Sequence, residues 1–146
     1  MVKTERMVAE DDEHAPRRAW VVGVAAWFIP GLGHLMVNRW GRALLMGGAV
    51  WLCFFLGMAM GGRLNALASY RGPFSSSLIS FFPVIGNLGA GSLYIVSWML
   101  DYGFAEDMQE AARVTHEYGY IFLLVAGLLN YLNMLDAFDI AAGRKS

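Results

Sequence analysis

His34 is the side chain in this sequence best suited to acid–base or metal chemistry, because an imidazole titrates near neutral pH and this one directly follows the break Pro30-Gly31-Leu32-Gly33. A metal needs more ligands than one. His14 lies in a charged head, His116 in a polar connection and Cys53 alone inside an apolar stretch, so no ligand set stands at metal spacing. The preferred reading is a hydrogen-bonded structural imidazole with no metal and no cofactor, and a His34–His116 pair on one side of the molecule is the alternative. Glu117 is the one acid proposed to join His34 as an acid–base pair. No paired carboxylates, nucleophile elbow, phosphate loop or nucleotide fingerprint appears, and a non-enzymatic role is expected.

Four further polar residues fall in the last apolar stretch, Asn130, Asn133, Asp136 and Asp139, at steps of three that trace a slow spiral rather than one face. At membrane depth an amide needs a partner, and such residues commonly tie helices together for about 0.6–2 kcal/mol per bond. Asn130 and Asn133 are read as such glue in preference to substrate contacts. Asp136 and Asp139 are expected to cap the helix or to pair with Arg63, Arg144 or Lys145.

These residues are carried by four apolar stretches, Ala19 to Val37, Ala43 to Gly62, Leu78 to Leu100 and Gly119 to Phe138. Each is near the roughly 20 residues a helix needs to cross a hydrocarbon core of about 30 Å. Composition agrees, with 57% hydrophobic and only 16% charged residues over 146 positions. The expected fold is therefore all-α: a polytopic membrane protein of four transmembrane helices plus a short interfacial helix. Residues 1–18 form a charged head expected to be disordered, residues 19–140 the membrane domain and residues 141–146 a basic tail. In the third stretch, Pro83, Gly86, Gly89 and Gly91 weaken a helix, and a kinked span is preferred over a re-entrant segment. Phe104, Met108, Ala111, Ala112 and Tyr118 recur at helical steps opposite Glu106, Asp107, Glu110 and Arg113, which predicts the interfacial helix as a solvated cap.

Four spans place both termini on one side, with eight of the eleven Lys and Arg residues, while the opposite loops hold Arg39, Arg42 and Arg113. Basic residues are retained in the cytoplasm, so both termini are expected there. The net charge of −1 and the scattered cations exclude a nucleic-acid face. Gly57 and Gly61 form a Gly-x-x-x-Gly pair that predicts close helix packing, inside the chain in preference to a second copy.

The segment Pro30-Gly31-Leu32-Gly33-His34, followed by Asn38-Arg39-Trp40-Gly41-Arg42, reads as a tight turn between helices, with the basic and aromatic residues anchored at the interface. It resembles the small bacterial two-span hairpin domains. With Glu117-Tyr118-Gly119, Ala126-Gly127-Leu128-Leu129-Asn130, Asp136-Ala137-Phe138-Asp139-Ile140 and the closing Gly143-Arg144-Lys145, the chain is more closely similar to an uncharacterised family of four-span bacterial membrane proteins, a domain of unknown function. That resemblance covers about residues 19–145, implies this architecture and a bacterial inner membrane, and supplies no catalytic residues to carry over. A scaffold or accessory subunit of a larger membrane complex is the preferred function. The alternative is a small self-associating channel or transporter lined by polar residues of the third and fourth stretches.

Overall fold

A computed structural model describes residues 17–64, 78–104 and 114–145, and every regular element among them is helical. The expected interfacial helix lies largely in 105–113, and most of the charged head in 1–16, outside the described residues.

Two helices are continuous and of spanning length. They are α3, Trp40–Ala59, and α6, His116–Ala141. They run antiparallel and share the most extensive interface among the described residues. Its register is set by small residues: a Cβ on Gly57 would stand 2.8 Å from Leu123 Cγ and 2.9 Å from the Gly119 carbonyl. At the other end Arg42 reaches Asp136. Gly57 lies against α6, whereas Gly61 lies beyond the helix in a turn with φ +78°. Between Ala43 and Gly47 α3 widens into a π-type turn.

The other two apolar stretches are not single helices. The first is α1, residues 17–28, and α2, Leu32–Met36, joined by a reversal at Ile29–Gly31. Trp20 packs edge-on against Phe138 with ring centroids 5.2 Å apart. Trp27 has reached Asn130, and by Gly33 the chain is back beside Ala26, Val22 and Ala137. Residues 19 and 37, expected at opposite ends of a span, therefore lie at the same end of α6. The third stretch is α4, Leu78–Leu88, and α5, Ser92–Met99. Gly86 lies against Leu124 and Gly127, Gly91 against the Trp27 carbonyl, and Gly103 is back beside Met58 and Leu64. This hairpin enters and leaves at the His116 end of α6.

The expected four spans are thus replaced by two continuous helices and two broken hairpins entering from opposite ends. The physical cause is local backbone geometry. Pro30 supplies no N–H for a continuing helix. Gly31 (φ +94°) and Gly91 (φ +61°) occupy the left-handed region that a side chain disfavours. Pro83, where a kink was expected, lies inside α4 without ending it.

The halves repeat the same order, hairpin then long helix, in opposite orientations. Their returning legs end alike. Asn38 (φ 59°) and Asp101 (φ 51°) take the left-handed position. In each case the next amide closes the turn, Arg39 N–H to the His34 carbonyl at 2.8 Å and Tyr102 N–H to the Ser97 carbonyl at 2.9 Å. Apolar packing fills both ends. Val50, Phe54, Leu64, Leu93, Tyr94 and Leu123 form one cluster, with Cys53 packed against it, and Val22, Ala26 and Ala137 form the other.

Candidate functional site

The two hairpin tips meet near the middle of α6, at Asn130. Breaking α1 and α4 strips carbonyls of their helical donors. Trp27 would receive the Gly31 N–H in a continuous helix, and the Leu93 N–H goes to Ala90 instead of Gly89. The Asn130 amide replaces both donors, its Nδ2 donating to the Trp27 and Gly89 carbonyls at 2.8 Å each. One side chain therefore pins both tips to α6.

Backbones at this level touch directly. A Cβ on Gly127 would collide with the Gly86 carbonyl, one on Gly89 with the Gly127 carbonyl, and one on Gly91 with the Trp27 carbonyl. Gly31 rests on α3, where a Cβ on Gly47 would come within 2.9 Å of the Gly31 Cα. The layer is packed shut. Yet Asn87 and Asn133, 0% and 1% exposed, have no hydrogen-bond partner for either amide atom, and neither has Asn130 Oδ1. Such buried groups cost about 1–3 kcal/mol each unless water or another polar occupant reaches them.

A second polar cluster lies at the chain-terminal end of α6. His34, fully buried on α2, directs Nε2 to Asp136 Oδ2 at 3.1 Å. Because a carboxylate accepts, Nε2 carries a proton, and the buried Nδ1 has no partner. Arg42 Nη1 donates to the same oxygen at 3.4 Å and Lys145 Nζ to Oδ1 at 2.9 Å. The Asp136 hydrogen bond holds the Lys145 ammonium above the ordinary lysine value, so it stays a cation throughout the neutral range. Arg144 lies 3.5 Å from Asp139 and 5.8 Å from the centre of the Phe138 ring.

Of the residues singled out by sequence, Pro30 and Gly31 form the first tip, and Gly33 packs the return leg against Ala26 and Ala137. Asn38 Oδ1 accepts from Trp40 Nε1 at 3.1 Å, with Arg39 capping α3 and a Cβ on Gly41 meeting nothing within 4 Å. Of the expected partners for the two aspartates, Arg144 and Lys145 are present. Arg63 follows α3 at the opposite end of the molecule. His116 is also at that end, where Nδ1 donates to the Gly61 carbonyl at 2.6 Å. His34 meets neither His116 nor the adjacent Glu117.

Sequence reasoning passed over Asn87, Gly89 and Gly127 as a meeting point. The signal was present in the two Gly-x-Gly segments, Gly31-Leu32-Gly33 and Gly89-Ala90-Gly91, each followed by a short apolar leg and an Asn or Asp turn.

A family described only as of unknown function (DUF6677) matches residues 21–146. No curated protein and no solved structure matches the chain.

Proposed function

We propose, from the premise that this chain belongs to that family of unknown function, that it is an integral membrane protein with two spanning helices and two re-entrant hairpins, acting as a non-enzymatic accessory or scaffold subunit. The observation carrying this reading is the inside-out distribution of polarity. Leu44 and Leu45 on α3 are 81% and 73% exposed, and Leu52, Phe55, Val125, Leu132 and Leu135 also face outward, while three asparagines are buried. A helix at the core of a water-soluble protein buries its apolar face, whereas only about a third of the apolar window of either long helix is covered here. Lipid is the solvent that fits this surface, and the broken backbone is tolerable in lipid because protein surrounds it.

Trp20 and Trp40 at one end and Trp98, Tyr102 and Tyr118 at the other are exposed, as interfacial aromatic belts would be. Arg17, Arg18, Arg39, Arg42, Arg144 and Lys145 gather at the chain-terminal end, against Arg63 among the described residues of the other. That imbalance supports a cytoplasmic placement of both termini, in a bacterial inner membrane if the resemblance in sequence extends to the host. The accessory role is supported by the closed tip layer and by the ion pairs that Asp136 and Asp139 make. Gentle purification from native membranes and intact-mass measurement test it. A stoichiometric second protein is the expected result, and a lone chain or homo-oligomer would contradict it.

A second reading, passage of a small neutral solute, is favoured by the unpartnered amides of Asn87 and Asn133. Proteoliposome swelling in urea or glycerol tests it. Permeability no greater than that of protein-free vesicles would exclude this reading.

A further inference from the structure

A cavity of about 570 Å³ opens at the chain-terminal end between α3 and α6. Its lining divides by depth. Arg42, Asp136, Asp139 and Lys145, with Leu135 beside Asp136, form the outer part, while Met46 and Leu132, each about one turn further along its helix toward the tip layer, form a wholly apolar inner part. This is the polarity profile of a phospholipid at the boundary between headgroup and acyl chain. A water-soluble anion would have no use for the inner wall.

We propose that this cavity holds a phospholipid with a primary-amine headgroup, of the phosphatidylethanolamine class, a site that rests on the membrane reading above. The outer wall presents two cations and two carboxylates. Arg42 and Lys145 are half exposed and make single contacts with Asp136, which leaves N–H donors free for a phosphodiester. Asp139 is held only by an Arg144 contact at 3.5 Å. It can therefore accept a lipid ammonium, while Arg144 keeps its place near the Phe138 ring. Asp136 is already engaged by three partners, and its bond to buried His34 fixes the wall on which the phosphate would sit. An anionic headgroup without an amine would offer Asp139 no partner beyond Arg144, and a choline headgroup has no N–H to offer it.

The test uses the detergent-purified full chain with added phosphatidylethanolamine, phosphatidylglycerol or phosphatidylcholine of identical acyl chains. Lipid retained on the protein is read by native mass spectrometry, and thermal stability is measured in parallel. Phosphatidylethanolamine should be retained at least threefold more than either competitor. Asp139→Asn should erase its advantage over phosphatidylglycerol, and Arg42→Gln with Lys145→Gln should lower retention of both. Equal retention of all three lipids, a preference for phosphatidylglycerol, or a preference unaffected by Asp139→Asn would overturn the proposal. Soluble O-phosphoethanolamine should give no stabilisation at millimolar concentration. A shift equal to that of the lipid would show that the inner wall is unused and that the ligand is not a lipid. The membrane reading is tested separately, by whether the chain stays in the pellet after alkaline extraction of membranes.

Discussion

Replacing Asn130 by Leu removes the donor that serves both hairpin tips while keeping side-chain volume nearly constant. Two hydrogen bonds of 2.8 Å are lost. At about 0.6–2 kcal/mol each, as for such bonds between helices under the proposed membrane placement, the pair contributes roughly 1–4 kcal/mol. The stranded carbonyls of Trp27 and Gly89 are enclosed by protein, which places the expected loss in the upper half of that range. Asn133→Leu is the matched control. Asn133 is equally buried but donates to nothing and accepts from nothing in the fold, so exchanging its amide for a branched apolar group should change stability by less than about 0.5 kcal/mol or raise it. Reversible unfolding in mixed micelles, titrated with a denaturing detergent, measures both. If Asn130→Leu lies within 0.5 kcal/mol of the parent, or if Asn133→Leu costs as much, Asn130 is not the pin that joins the tips.

Glycine substitutions should separate sharply by position. Gly127→Ala drives a Cβ into the Gly86 carbonyl, where neither backbone can yield, and should cost more than about 3 kcal/mol or prevent accumulation of folded protein. Gly48→Ala has open space within α3 and should be neutral or stabilise by about 0.5–1 kcal/mol in the same assay. At the terminal end, Asp136→Ala strands buried His34 and should cost about 1–3 kcal/mol, whereas Asp139→Ala loses one exposed contact and should cost less than about 0.5 kcal/mol. Equal effects of the two would contradict the central place given to Asp136.

The all-helical character follows from hydrophobic length, and the cost of an unpaired buried amide points to Asn130. The missing proline N–H marks Pro30-Gly31 as a break, though as part of a turn between the first and second spans rather than a reversal within the first stretch. Path was harder to read than composition. A hairpin of two half-length helices and one full span contain the same run of apolar residues, so hydropathy does not distinguish Ala19–Val37 as a crossing from 17–36 as a return. In the third stretch Pro83, Gly86, Gly89 and Gly91 together predict one weakened, kinked span, whereas α4 runs on through Pro83 and the reversal falls at Gly91, eight residues later, where φ is positive. The partnership of His34 with Asp136 was hidden for the same reason. An assumed crossing put the two at opposite faces, and only the return of α2 to the terminal end brings them to 3.1 Å.

The side on which residue 38 emerges tests the central claim most directly. With Cys53→Ser removing the native thiol, single cysteines are introduced by Asn38→Cys and, as a reference, by Ser146→Cys, and each variant is labelled with a membrane-impermeant maleimide in sealed vesicles of known orientation. Two opposed hairpins predict that positions 38 and 146 label from the same side. Labelling of position 38 from the opposite side would restore a complete first span and contradict the architecture.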